Sequence, residues 1–484
     1  MIKKLLPAFA ISLLALTSLA PAQTLQNLVH QPPGGAFLSF LLTDGTVMCQ
    51  ANISSDWWKL TPDINGSYIN GTWTRLASLQ SGYVPDDFAS AVLGDGRVVI
   101  SGGEYNNGIF TVTNMGAIYD PLANTWTPLD PPAGWDFIGD SQSVVLPDGR
   151  WLVGRKLDMQ MAALDPATLT WTALGFTGKS DFNSEEGWTL LRDGTVLTYD
   201  VLNAPNSERY FPTIETWMTA SSTIVDLHSP SPFGCIPYGP HGEFCYYPPG
   251  EVGPGILRPD GTVFATGSYS DAGPGHTAIY TPPATITGSG TWSVGPDFPN
   301  NDDAGDSFAA LLPNGNVLVL GNSGSFYEFD GVNLNPTLSG FGCLMVLPNG
   351  QVLVAGGSVV KVYTPGNTSY TPSWAPQIKR YPKRIRRGST YPISGRQFNG
   401  LSQAAAFGDE LETSTNYPLV RLTNTATGHV FYARTHDHSS MGVATGNQRV
   451  STNFDVPAAM ETGSCTLEVV ANGIPSPAVT VTVR

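Results

Sequence analysis

Residues 88–103 read FASAVLGDGRVVISGG. An apolar run, an Asp-Gly turn and a second apolar run form a β-hairpin, because Asp-Gly and Asn-Gly tolerate the positive φ that such turns require. The unit recurs as FLSFLLTDGTVMCQ (37–50), SQSVVLPDGRWLVGRK (141–156), GWTLLRDGTVLTYD (187–200), PGILRPDGTVFATGS (254–268), FAALLPNGNVLVLGN (308–322) and GCLMVLPNGQVLVAGG (342–357). A second half follows most copies: a small residue, Tyr-Asp-Pro or a relative of it, a few turn residues, then Trp-Thr-x-Leu. Examples are GAIYDPLANTWTPL (116–129), AALDPATLTWTAL (162–174) and SERYFPTIETWMTA (207–220); the sixth copy, FYEFDGVNLNPTL, lacks the Trp. Each unit is thus about four strands and ~40–55 residues, the size of one propeller blade. Seven copies predict an all-β chain whose residues 23–373 form a seven-bladed kelch-type β-propeller. The seventh unit has only a weak fourth strand, and LQNLVHQPPGG (25–35) is similar to WTPLDPPAGW (126–135). Thr24–Val29 is therefore expected to complete the last blade and close the ring, which removes exposed sheet edges.

Composition agrees. The chain has 484 residues with 53 Gly and 39 Pro, is 41% hydrophobic and only 13% charged. That profile is turn-rich, and it excludes a disordered chain and long solvent-exposed helices. With 24 basic against 39 acidic residues the net charge is −15, which speaks against nucleic-acid binding. The only long apolar run is N-terminal, so no membrane span is expected. Lys3 and Lys4, an apolar stretch from about Leu5 to Leu19, and Ala20-Pro21-Ala22 read as a secretory signal over residues 1–22, cut before Gln23. The protein is expected to be secreted or periplasmic, where disulfides persist. Cys235 and Cys245 flank a Pro/Gly-rich loop and are the expected disulfide; Cys49, Cys343 and Cys465 are either thiols or include a Cys49–Cys343 pair.

From about Pro376 the Asp-Gly hairpins stop, but short strand-like runs continue: YPLVRLTN, HVFYARTH, QRVSTNFDVP, SCTLEVVANG and AVTVTVR. Residues 374–484 are expected to form an immunoglobulin-like β-sandwich. Lys379, Arg380, Lys383, Arg384, Arg386 and Arg387 form a basic cluster there. It serves to bind an acidic polymer, to contact the acidic propeller, or to solvate an edge strand.

A kelch-type propeller followed by such a tail resembles the galactose oxidase / glyoxal oxidase family of secreted copper-radical enzymes. That resemblance implies a copper site on the propeller axis. Its ligands would come from the starts of innermost strands and from one tail histidine, with a Tyr cross-linked to a Cys as the radical. Thr435-His436 in ARTHDHSSMGV is similar to the family's tail Thr-His, and Gln448-Arg449 to a following Gln-Arg. The propeller ligands do not carry over. Gly305-Asp306-Ser307 stands where the family has Tyr-His-Ser, no blade has Tyr nine residues before its turn glycine, and Ala36 rather than Tyr neighbours Cys343. The radical pair is absent, and alcohol oxidation by that mechanism is not expected.

Acids stand in its place. Nine residues before the turn glycines Gly45, Gly96, Gly149, Gly194, Gly261, Gly315 and Gly350 lie Ala36, Asp87, Asp140, Glu185, Val252, Asp306 and Phe341. Glu251 sits one step before Val252, and Asp86 and Glu186 add charge. Inner strands converge on the axis, so this register predicts carboxylates around one mouth of the channel. Like charges ~8–10 Å apart repel by roughly 1.5–2 kcal/mol per pair at an effective dielectric near 20, so some carboxyls hold protons or a cation sits among them. The candidate metal ligands are Asp87, Asp140, Glu185, Glu251, Asp306, His436 and His438. The ion is calcium if oxygens alone bind it, and manganese, zinc or copper if the histidines join. Alternatively Glu185 and Asp140 act as acid and base on a sugar, or the acids merely cap strand starts. Tyr105, Trp135 and Tyr269 in mouth loops are candidate sugar-stacking rings; Trp57 and Trp58 pack either there or between blades. The expected partner is a carbohydrate or other small extracellular ligand. A divergent copper oxidoreductase and a non-catalytic scaffold are the alternatives.

Overall fold

The computed structural model describes residues 22–229, 234–237, 243–246, 251–268, 273–403, 405–406 and 412–484. The expected signal segment up to residue 21, Tyr269, and the side chains of Cys235 and Cys245 lie outside them. The backbones of Gly234–Pro237 and Glu243–Tyr246 pair with Cys235 opposite Cys245.

The chain is all-β, and seven successive sheets make the blades of a propeller. Their innermost strands are Ser39–Leu41, Ala89–Val92, Ser143–Val145, Thr189–Leu190, Val252–Leu257, Ala309–Leu311 and Cys343–Val346. Nearly every inner-strand residue is buried, because each packs between two neighbouring blades. All seven turn glycines have φ between +75° and +94°, a region in which Gly is unstrained. The Asp or Asn before each glycine locks the turn by accepting the amide two residues on, as Asp44 does from Thr46 at 3.0 Å and Asn314 from Asn316 at 3.0 Å.

Blades are hooked together by the Trp of the fourth strand. Trp73, Trp126, Trp171 and Trp292 donate their indole N–H to the carbonyls of His30, Ala77, Asp130 and Ala220, each in chain that precedes their own blade. Tyr119, Tyr210 and Tyr280 lie across the strand from Trp126, Trp217 and Trp292, with ring centroids 5.1–5.2 Å apart. Trp57 is a core residue: it is fully buried and stacks on Phe40.

The last blade is completed by the first strand. Thr24–Asn27 pairs antiparallel with Lys361–Thr364 as the fourth strand of the sheet whose inner strand is Cys343–Val346. Cys49, Cys343 and Cys465 are buried free thiols, so the Cys49–Cys343 pairing is not formed.

The tail builds a β-sandwich around its own core, which includes Ile393, Phe398, Val420, Leu422, Phe454 and Leu467. The strand Val430–His436 links its two sheets: Val430–Ala433 pairs with Val420–Thr423, and Arg434–His436 with Asn453–Asp455. Gln377–Arg380 and Arg384–Ile385 are the two ends of the strand order. All six clustered basic residues are exposed, so none is buried against the propeller.

The tail docks on the turn end of the propeller. Thr435 and His438 amides donate to Thr43 and Gly94 carbonyls at 3.0 and 3.1 Å, and the Arg434 guanidinium to the Asp95 carbonyl at 2.7 Å. One tail segment goes further. Ala405–Ala406 pairs with Ala309–Ala310, adding a fifth strand on the axial side of blade six. On the return path Thr413 donates to the Leu344 carbonyl, 3.0 Å away in blade seven. The tail therefore reaches into the channel between two blades.

Because Thr24–Asn27 supplies a whole strand, deleting residues 24–30 should lower the thermal midpoint substantially. Unchanged melting of the truncated chain would show that closure does not rest on this pairing.

Candidate functional site

The five predicted carboxylates come together at the mouth opposite the tail, and a cation sits among them. Lys156 is 4% exposed. Its Nζ lies 2.7 Å from Glu185 Oε1 and also pairs with Asp140 Oδ2. Glu104 and Glu251 act on the same ammonium. Burial alone would lower the Lys156 pKa, but Glu185, Glu104 and Glu251 outweigh it and raise it.

Local backbone explains the convergence. Asp87, Glu185 and Asp306 all have positive φ, at +50°, +57° and +48°. Non-glycine residues seldom occupy this region, and such strain concentrates at functional sites. Asp140 follows Gly139 at φ +80°. A Cβ on Gly139 would meet Val112 Cγ1 at 2.7 Å and Lys156 Cβ at 3.2 Å, so glycine lets the chain pass close beside the lysine.

The carboxyls are not equivalent. Glu251 is hydrogen-bonded to Asp306; burial, then repulsion from Glu185 and Asp306, pushes its pKa up to about 11. Burial and repulsion thus favour a proton held by the Glu251–Asp306 pair. Burial, with Asp86, Glu104 and Glu185 nearby, pushes Asp87 up to about 7, against the pull of Lys156. Asp86 and Glu104 are raised mainly by burial. Beside the cluster lies a cleft of about 570 Å³ lined by Phe37, Gln50, Asn52, Ile53, Asp86 and Asp87. Clefts of comparable size on the tail, and between tail and propeller, contain none of the ring residues.

Several expectations are corrected. His436 and His438 do not reach the ring. His438 donates its amide to Gly94, seven residues beyond Asp87 along an extended strand, a separation of about 20 Å. His436 bonds Asp437 at 2.7 Å and Asp455 at 3.2 Å. His438 is half-buried and bonds Thr452 at 2.9 Å, and desolvation together with His436 pushes its pKa down to about 3. Glu185 and Asp140, expected as acid and base, are both engaged by Lys156. Tyr105 does lie at the site: its backbone pairs with Asp86, and the Glu104 charge raises its hydroxyl pKa. Trp135 is 6% exposed and packs against Arg155, so it offers no open stacking platform.

Sequence reasoning missed Lys156 and Glu104. Both stand two residues after the glycine at or just beyond the end of a second strand, Gly154 and Gly102. Counting along second strands, as was done along first strands, would have placed them together.

At the level of sequence, neither a protein-family model nor a curated protein matches the chain. Several solved structures are similar to it in shape. A fungal alcohol oxidase of the AA5 family, in complex with copper, is 14% identical, with TM-score 0.53 over 96% of this chain and 99% of that one. Catalytically inactive virginiamycin B lyase from Staphylococcus aureus is 11% identical, with TM-score 0.47 over 71% and 99%. The extracellular domain of a putative hybrid two-component system from B. thetaiotaomicron is 11% identical, with TM-score 0.47 over 96% and 59%. The first likeness supports the fold, and a copper centre of the radical type does not fit this chain. Carboxylates around an ammonium stand at the inner-strand starts, Cys343 is buried in an inner strand, and both tail histidines are bonded at the far end.

Two outcomes are expected. Lys156→Met leaves Asp140 and Glu185 buried without their counter-charge and should destabilise the chain by about 3–5 kcal/mol; a loss below about 1 kcal/mol in urea unfolding would mean the pairs contribute little. For Glu251, the unfolded chain releases its proton near 4.5, the ordinary glutamate value, and the folded chain near 11. The folded state thus binds the extra proton between these values, and stability falls as pH rises, by up to about 1.4 kcal/mol per unit. Glu251→Gln should flatten the curve between about pH 6 and 9. Parallel curves for the two proteins would exclude a retained proton.

Proposed function

We propose that the chain is an exported propeller, residues 23–373, with an immunoglobulin-like tail, residues 374–484, whose acidic mouth binds a carbohydrate and exchanges a proton with it. The observation that carries this reading is the cleft that opens onto Asp86 and Asp87. Its wall combines apolar Phe37 and Ile53, the amides of Gln50 and Asn52, and the two carboxylates. A sugar presents an apolar face and hydroxyl edges, and such a mixed wall suits both.

Glu251, hydrogen-bonded to Asp306 and raised by burial, lowers the charge of the ring beside the cleft. Asp87, with a pKa raised to about 7, is the group able to accept or return a proton near neutrality. Lys156 holds Asp140 and Glu185 in place and partly neutralises the ring. This replaces the divalent ion expected among these acids: the ammonium already occupies the position that a metal at Asp140 and Glu185 would take. The copper-oxidase alternative has the shared fold in its favour and no ligand set. Among the described residues no helix is long and apolar enough to cross a membrane.

The test is calorimetric binding of a panel of neutral and amino sugars and their polymers. Asp87→Asn should weaken binding of any sugar that binds the unaltered chain at least about tenfold, a shift of about 1.4 kcal/mol, with the thermal midpoint retained. If no sugar binds, or if Asp87→Asn binds equally well, the reading fails.

A further inference from the structure

A second knot of charge lies beside blade four, apart from the mouth. Asp181, Glu186 and Asp200 each present a carboxylate oxygen, and these oxygens all lie within 4.8 Å of one another. The three residues are 2%, 0% and 3% exposed, and Glu208, also 3% exposed, adjoins them. Lys179 is the cation paired with this knot. Its Nζ contacts Glu186 at 2.8 and 3.1 Å and Glu208 at 3.5 Å.

The remaining hydrogen bonds do not satisfy the knot. Asp181 accepts the amides of Phe182, Val201 and Leu202 at 2.8, 2.8 and 2.7 Å. One oxygen of Asp200 accepts the Ser180 hydroxyl at 3.0 Å. The other, Oδ1, is buried and has no partner. A buried carboxylate oxygen left bare costs several kcal/mol unless a proton or a cation meets it. Four buried carboxyl groups face one ammonium, so charge balance requires protons or a further cation.

We propose that Asp181, Glu186 and Asp200 form a structural site for one hard divalent cation of the calcium class. The triad offers only oxygen donors, which selects calcium, magnesium or manganese over softer metals. Oxygens up to 4.8 Å apart can share an ion at the ~2.4 Å bond length of calcium. The bare Asp200 oxygen supplies the free donor that a filled hydrogen-bond network would lack. Lys179 has partners outside the triad, Glu208 and the face of Trp217 at 4.5 Å. These can hold it when an ion displaces it from Glu186; Lys156, paired among the described residues only with carboxylates, lacks such partners.

The location gives the ion work to do. Residues 179–186 form the loop leading into blade four, whereas Asp200 follows the second strand, Val196–Tyr199. An ion would tie these two segments together. Glu185, which holds Lys156 at the mouth, is the residue before Glu186 and sits at φ +57°. The ion would therefore fix the backbone from which one wall of the acidic mouth is built.

The test uses the full mature chain. Elemental analysis after dialysis against calcium chloride should find about one calcium per chain, and calcium should raise the thermal midpoint several degrees above the value in EDTA, with magnesium and manganese chlorides as parallel arms. Asp200→Asn should abolish both the bound ion and the calcium-dependent shift. It should not lower the midpoint in EDTA, because it removes an unpaired buried charge. Asp87→Asn, at the mouth, should keep the ion. A chain that binds none of the three ions and melts alike with and without EDTA overturns the proposal, and the carboxyls then carry protons. Loss of the ion in Asp87→Asn with retention in Asp200→Asn overturns it too, and places the metal at the mouth. Should Asp200→Asn fail to fold, stoichiometry and melting of the unaltered chain decide.

Discussion

The ladder between Thr24–Asn27 and Lys361–Thr364 is the constraint on which the axial chemistry rests. Carboxylates from blades two to six meet only because all seven inner strands are held around one axis, and the ring has one seam. At that seam the first strand of the described chain becomes the outer strand of the last blade. Four junctions have further side-chain help: an indole N–H of blades one, two, three and five reaches a carbonyl of the chain before it. These hydrogen bonds are individually worth about 1 kcal/mol, but they occupy the same place in each of these blades. They set the blade-to-blade rotation that aims the inner strands.

Much of this was legible because the repeat is strict where physics is strict. A turn that needs positive φ demands Gly, and the residue before it is Asp or Asn in every blade. Those seven glycines provide a ruler, and counting back along it found Asp87, Asp140, Glu185 and Asp306, with Glu251 one step away. What the ruler could not reach was the answering charge. Lys156 follows a second strand, at an offset that counting along first strands does not sample. The histidines misled for a different reason. Which end of a propeller a following domain covers is set by surface complementarity between two units, and no short motif records it. His436 and His438 had suitable chemistry but lie at the wrong end of strands about 20 Å long.

Equivalent positions have unequal chemistry. Asp140 and Glu185 share an ammonium, whereas Glu251, one blade on, is hydrogen-bonded to Asp306 and its pKa is raised by burial and by its acidic neighbours. A single lysine, off-centre in an acidic ring, is enough to make its two arcs unequal in charge. Apolar residues fill the rest of the circle: Phe341 and Ala36 stand at the same offset in blades seven and one. The mouth is thus lopsided in both charge and polarity, which orients any ligand that enters.

The strand Ala405–Ala406 has a consequence for traffic. It lies against Ala309–Ala310 on the axial side of blade six, and Thr413 is bonded across to blade seven. Along this side of the axis a guest that passes the acids meets main chain lent by the other domain, so the floor beneath blades six and seven is built by two domains at once.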